Sequence, residues 1–455
     1  MKKHLTLLGV AAMATSVFAG CSNDEILESY QGEEISFRTR TETRATELKK
    51  ENLGDFAVYA KGVHPSGNLY TQFLIGDATS GAEVASRDIT ISNKFIWKLD
   101  RKVYWPSGME HVLFWAYTTK SKDDDQASVL SSGNVSFEAT GPKITGFSPA
   151  KADLNTSSGI STFADGIGQK DLLIAFKDQE YKDGTSVNIN FKHALSQIQI
   201  KAKQSRAENS KDHRVVKVKG AWIVNVSTKG DLSAGFTWNE ADKTANVTPT
   251  WTVSSMSTDI GHYGTFKEAI TLATESQELL GNGGSLMIIP QQVDRWNKTD
   301  KPAGAYILLL CRVELKHEGV AHEGDDTSVG DVYVDKDNQV HYHQLFPVNS
   351  EGKFNSAQYG FSCVALDADW KDGKTYTYTL DICGITTGAG VYPPIISNDF
   401  LNALVPASEK NNIVRNEDLN VVGKAVLDQP IQFEVNVNSW ADAGEDFNGD
   451  IPMQQ

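Results

Sequence analysis

The chain has 455 residues, 40% of them apolar and 22% charged, with a formal net charge of -15. That length exceeds one ordinary core, so two domains are expected, and the composition excludes wholesale disorder. An acidic surface repels phosphate backbones, which argues against nucleic acid as a partner.

Lys2, Lys3 and His4 form a basic start, "LTLLGVAAMATSVF" an apolar centre, and Ala19 and Gly20 stand as small residues directly before Cys21. This is the order of a secretory signal, and no later apolar run has the length to cross a bilayer. Cysteine after two small residues resembles the lipobox of bacterial lipoproteins, although Phe18 departs from the Leu-Ala-Gly-Cys pattern. The resemblance implies cleavage before Cys21 and acylation of its thiol. On the other reading, Cys21 is an incidental residue behind a plain signal peptide. Residues 1–20 are thus expected to be a signal peptide and residues 21–33 a polar, acidic tether.

From Glu34 onward strand signals dominate. "EISFRTRTETR" alternates, with Ile35, Phe37, Thr39 and Thr41 on one face. "DFAVYA", "HVLFWAYT", "SVNINF", "LSQIQIKAK", "SLMIIPQQ", "AYILLLCRVEL", "TYTYTLDI" and "IQFEVNVNSW" are further β-rich runs bounded by Gly, Pro, Asn or Asp. The last of these places Ile431, Phe433, Val435 and Val437 on one face. Helical signals are confined to Thr265–Leu280 and Ile396–Val405. Many short strands with few helices predict an all-β chain of sandwiches. The polar stretch "QSRAENSKDHR" suggests a boundary, dividing the chain into an N-terminal domain over 34–206 and a C-terminal one over 207–455.

Cys311, Cys363 and Cys383 are an odd remainder beside Cys21, which is no disulfide framework. Single buried thiols are expected, with a Cys363–Cys383 pair as the alternative. HExxH, P-loop, GxSxG and GxGxxG patterns are absent. The nearest approach to a metal constellation is "HEGVAHEGDD" with "DKDNQVHYH". His341 and His343 would share a strand face, with His317, His322, Asp325 and Asp326 nearby in sequence. Five residues from His317 to His322 do not stack on a helix, so a polar surface hairpin is expected and no metal is assigned. No catalytic residue or cofactor is assigned, and an enzyme is not expected. Nine tryptophans leave a surface that binds glycans as a second reading of function, although Trp97, Trp105 and Trp115 lie within strand-like runs that suit a core.

The order of the motifs resembles the fimbrillin family of two-domain pilus subunits and pilus-associated lipoproteins from gut and oral Gram-negative anaerobes. After the lipobox come "ISFRTRTETRAT", "LGDFAVYA", "VYWPSGMEHVLFWAYT" and "DLLIAFKD". "VNINFKHALSQIQIKAK", "AWIVNVSTKGDL", "SLMIIPQQ", "GKTYTYTLDI" and "PIQFEVNVNSW" follow. The resemblance implies two tandem transthyretin-like β-sandwiches and a structural or adhesive fimbrial role at the outer membrane and cell surface. It further implies cleavage by an arginine-directed protease near the first strand, at Arg38, Arg40 or Arg44. Loss of that strand, centred on Ile35, Ser36 and Phe37, would open a groove for the C-terminal strand of another subunit. The residues "ADAGEDFNGDIPMQQ" after the last strand depart from the expected apolar terminal donor. Either the donor is the strand of Ile431, Phe433, Val435 and Val437, or the protein is an anchor, tip or minor subunit that accepts without donating. The partners implied are other pilus subunits, the membrane through lipid, and a host or bacterial surface ligand. Ser22, Asp24 and Glu25 resemble the acidic signal that sends such lipoproteins to the outer face of the outer membrane.

Overall fold

A computed structural model describes residues 34–440 except 41–52, 89–95, 107–108, 110, 124–126, 150–152, 155–160, 164–168, 181–185, 207–212, 254–259, 281–284, 326, 328–329 and 349–350. All eight β-rich runs expected beyond Ile35 contain strands, and "HVLFWAYT" coincides with the strand His111–Thr118. The fold is all-β, built from stacked sheets. Among the described residues no helix is long and apolar enough to cross a membrane.

An eight-stranded sheet runs in the order Val187–Asn190, Phe37–Arg40, Ile96–Leu99, Glu83–Asp88, Phe56–Val63, His111–Thr118, Leu173–Glu180, Lys192–His193. Alternate residues of its central strands enter two different cores. Phe56, Val58 and Ala60 pack with Phe114, Trp97, Val187 and Ile189, all from the same sheet, so the sheet curls around its own inward side chains. Tyr59, Leu113 and Trp115 point the other way, onto Ile144, Phe147 and Leu232 of a second, four-stranded sheet. Burial on both faces explains why "FAVYAKGV" is buried at every position.

A second body pairs a nine-stranded sheet, centred on Tyr306–Glu318 and His213–Ser227, with a five-stranded sheet holding Ser196–Lys203, Lys374–Asp381 and Gln432–Ser439. Ile198, Ile200 and Leu380 of the smaller sheet meet Val216, Ile223, Leu309 and Val313 of the larger one in a shared core. On the outer face of the larger sheet, Trp222, Leu308 and Phe361 are covered by Leu401 and Leu404 of the helix Asn398–Leu404. That helix lies where one was expected. Ser397 caps it by accepting from the Phe400 amide at 3.1 Å, and Asp399 sits in the first turn.

The helix expected over Thr265–Leu280 does not form. Residues Ile260–Thr271 are a strand antiparallel to His213–Ser227, paired from Lys217 opposite Thr271 to Ser227 opposite Ile260 with register shifts between Val218 and Gly220 and between Val224 and Val226. The helix formers in "KEAITLATESQELL" are outweighed by this long ladder, and Leu272 and Leu279 reach one core from separate segments. Local propensity loses to tertiary pairing here.

Across the expected boundary of 206/207 the chain passes from the five-stranded sheet, with Ser196–Lys203, to the nine-stranded one, with His213–Ser227. Between His193 and Ser196 it also passes from the eight-stranded sheet, which Lys192–His193 closes, to the five-stranded one, where Ser196–Lys203 runs parallel to Lys374–Asp381. Asp153–Leu154 and Ser161–Phe163 already pair in the nine-stranded sheet. Strands Gly230–Ser233 and Thr250–Val253 then return to pair in the sheet of Asn134–Glu138 and Gly141–Phe147. The crossover is tied down on every side. His193 Nδ1 lies 2.8 Å from Asp171 Oδ2 in a buried pair, and its ring stacks on Trp440 at 4.2 Å. The Ala194 carbonyl accepts from Trp251 Nε1 at 2.7 Å, and Ser196 Oγ donates to the Lys371 carbonyl at 2.8 Å.

Cys311, Cys363 and Cys383 are free and buried. Burial pushes the Cys383 thiol up to about 11 and the Cys311 thiol up to about 12, so both stay protonated and unreactive at neutral pH.

Candidate strand-exchange site

The residues expected to exchange sit at the two ends of the described chain. Ile35 and Phe37 are buried and Arg38 is exposed, as the alternation requires. Phe37–Arg40 occupies the position next to the edge of its sheet. On one side it runs parallel to Val187–Asn190 over all four residues, from Phe37 opposite Val187 to Arg40 opposite Asn190. On the other side a single antiparallel pair, Phe37 with Trp97, joins it to Ile96–Leu99. Three further contacts hold its start: the Ile35 amide on the Val103 carbonyl at 2.8 Å, the Val187 amide on the Ser36 carbonyl at 2.9 Å, and Ser36 Oγ against Ser186 Oγ at 2.9 Å.

Its side chains carry more than its hydrogen bonds. Phe37 meets Phe56 and Phe114 edge-on, with ring centroids 5.7 and 6.0 Å apart. Taking the strand away would leave a slot between Ile96–Leu99 and Val187–Asn190, floored by Phe56, Phe114, Trp97 and Ile189. Trp97 would keep its anchor, since its Nε1 donates to the Gly54 carbonyl at 2.8 Å. Arg40 ends this strand, and Arg44 and Cys21 lie outside the described residues.

The candidate donor has the opposite character. Gln432–Ser439 is the last strand of the five-stranded sheet and, among the described residues, pairs only with Lys374–Asp381, over eight residues from Gln432 opposite Asp381 to Ser439 opposite Lys374. Ile431 is buried and Phe433 packs at 5.8 Å on Tyr378, but Val435 and Val437 are 42% and 52% exposed. Their cross-strand partners Tyr378 and Tyr376 are buried, so the apolar face of the last strand runs past the edge of the core beneath it. Among the described residues, one edge of this strand presents backbone groups with no strand beside them.

Sequence reasoning did not supply the neighbours. The parallel partnership with "VNIN" joins residues some 150 positions apart, and only the alternation of Val187, Ile189 and Phe191 hinted that this run was a strand. Trp440, which closes the last strand against His193, drew no notice because a single tryptophan after a β-run carries no pattern.

The tryptophans bear on the glycan reading. Seven of the nine are buried, and Trp238 and Trp251 are half-buried, packed with Trp115, Phe147 and Ile289. They build cores and present no open platform.

A family model described as fimbrillin-like matches residues 39–391. The chain belongs to the fimbrillin-like family. The match begins inside the first strand, after Phe37, includes the crossover, and stops short of the last strand. Among solved structures, this fimbrillin-like chain is similar to a fimbrial protein from Bacteroides vulgatus, 15% identical, covering 90% of this chain and 99% of the other at a TM-score of 0.47. A candidate cell adhesion protein from Parabacteroides distasonis is 9% identical over 91% of this chain and 99% of its own, with a TM-score of 0.39. Another, from Bacteroides ovatus, is 13% identical over 77% and 93%, with a TM-score of 0.33. Nothing among curated proteins matches the sequence. Membership in the fimbrillin-like family supports a pilus component acting with other subunits at the cell surface.

Proposed function

We propose that this protein is a fimbrial subunit exported as a lipoprotein on Cys21 and assembled by strand exchange. Cleavage at Arg38, Arg40 or Arg44 severs Ile35–Phe37 from the folded body, together with the lipid that holds it to the outer membrane. The vacated slot then accepts the Gln432–Ser439 strand of another subunit, which satisfies its backbone groups and covers its aromatic floor. The role is structural or adhesive, with no catalysis. The two tandem sandwiches of this reading span residues 34–206 and 207–455.

One observation carries the reading. The first strand is short and joined to Ile96–Leu99 by one residue pair, yet it fills a fully buried aromatic core. Such a strand leaves a high-energy slot when it is removed, and that energy drives replacement.

The test is to incubate the exported chain with an arginine-specific protease, sequence the new N-terminus and run unboiled gels. The expected products begin at Thr39, Thr41 or Ala45 and form a ladder of multiples. An uncut chain, or a cut chain that stays at single-subunit mass, would sink the proposal.

A further inference from the structure

A side-chain cluster far from both terminal strands has the geometry of a metal site. Strand Tyr306–Glu318 pairs with Val340–Phe346 so that His317 lies opposite His341, and Leu315 opposite His343. Residues two apart on a strand share a face, and so do directly opposed residues, so His317, His341 and His343 project to one side. The turn after Glu318 brings a fourth imidazole and a carboxylate over that face. His322 and Asp325 are locked together by the His322 amide on Asp325 Oδ2 at 2.6 Å and the Asp325 amide on the His322 carbonyl at 3.2 Å. All six ring-to-ring distances among the four histidines fall between 4.5 and 5.6 Å.

The protons tell where the lone pairs point. His341 is fully buried, and its Nδ1 lies 2.9 Å from the Gly319 carbonyl. A carbonyl only accepts, so Nδ1 carries a hydrogen, and the nitrogen left to ligate an ion is Nε2, which faces the cluster. That Nε2 is buried and has no hydrogen-bond partner, and the same holds for Nε2 of His343. Each lies 3.8 Å from Asp325 Oδ2, too far for a hydrogen bond. A backbone carbonyl holding the far nitrogen of a histidine is the usual outer support of a ligating imidazole.

We propose that His317, His322, His341, His343 and Asp325 form a binding site for one divalent transition-metal ion of the zinc class. The ligand atoms of His317, His322 and His343 lie within 4.8 Å of one another, as do those of Asp325, His341 and His343. His343 is common to both sets and is the central ligand. Ligands of a tetrahedral ion with metal–nitrogen bonds of ~2.0–2.1 Å stand ~3.3 Å apart, so small rotations of side chains close the site. Imidazoles with a single carboxylate select zinc, copper or nickel over calcium and magnesium, which need oxygen donors. The exposed His322 gives the ion its way in. Once bound, the ion would staple the 319–325 turn to the Val340–Phe346 strand.

The test uses the full chain without a polyhistidine tag, stripped with a chelator and titrated with Zn2+ against a chromophoric competitor. One equivalent should bind saturably, Ca2+ should not compete, and Co2+ should develop the visible bands of a tetrahedral site. Changes in the outer support of such sites cost ~10–100-fold in affinity, so His343→Ala should weaken binding by more than ~100-fold. His322→Ala removes an exposed side chain without touching the core and should also weaken binding, while His64→Ala, beyond the cluster, should leave it unchanged. Binding of less than one equivalent, or equal binding by wild type, His343→Ala and His322→Ala, would overturn the assignment.

Discussion

The first and last described strands of this chain are held by opposite means. Phe37–Arg40 has few backbone partners on one side and a fully buried aromatic anchor, whereas Gln432–Ser439 has a complete eight-residue ladder and two exposed valines. Hydrogen bonds to a neighbouring strand replace hydrogen bonds to water and contribute little net, while buried aromatic area contributes in full. The two ends therefore differ in what their loss does. Removing the first strand opens a core, and peeling off the last exposes mainly one ladder.

The largest expected effect probes the first strand. Phe37→Ala deletes a ring wedged between Phe56 and Phe114 and should cost about 3–5 kcal/mol, read as a lower urea midpoint at unchanged slope. A cost below ~1 kcal/mol would erase the contrast between the two ends.

Acid should load the body between them. Burial drives the His262 imidazole from 6.5 down to about 4. The unfolded chain thus takes up a proton that the folded chain refuses, so stability is complete above about pH 6.5 and falls as pH drops toward about 4. The loss approaches about 3 kcal/mol. Thermal melts across that range should show the slope for wild type and a reduced slope for His262→Gln. An unchanged slope in the variant would assign the acid sensitivity elsewhere.

Trp440→Ala sharpens the comparison from the other end. It removes the ring stacked on His193, and the amides of Gln432–Ser439 should exchange at least ~10-fold faster, equivalent to ~1.4 kcal/mol of local stability. Exchange at Phe37–Arg40 should stay as it was. Equal acceleration at both ends would mean that the two strands open as one unit.

The smallest effect on the single chain belongs to Val435→Lys with Val437→Lys. Both side chains are exposed, so stability should change by no more than about 0.5 kcal/mol. If the last strand is the donor, the same pair should abolish the high-mass ladder, because lysines cannot fill an aromatic slot. A ladder of normal intensity would exclude this strand as donor.

Much of this architecture was legible in single runs of residues. "SVNINF" and "HVLFWAYT" announce strands through alternation or β-rich composition, and Ser397 with Asp399 marks the start of a short helix. "TFKEAITLATESQELL" misled because helix formers are common in it, and the ladder that overrides them comes from residues about fifty positions earlier. The grouping of the histidines was hidden for a related reason. A spacing of five means nothing on a helix, but a strand pair and a turn bring His317 and His322 to 4.5 Å between ring centroids. Ile35 and Phe37 could be assigned to an inward face from sequence, yet their neighbours Val187 and Trp97 could not.

The sequence by itself determined the class of fold, the inward and outward faces of most strands, and membership in a family whose motifs recur in order along the chain. These depend on short-range periodicity, and a side chain two residues on always returns to the same face. Tertiary structure alone decided which strands are neighbours, where the sheets exchange the chain at His193–Ser196, and which end is buried and which exposed. Those outcomes come from burying apolar area between segments hundreds of residues apart, a free energy that belongs to the assembled sheets and to no single run of residues.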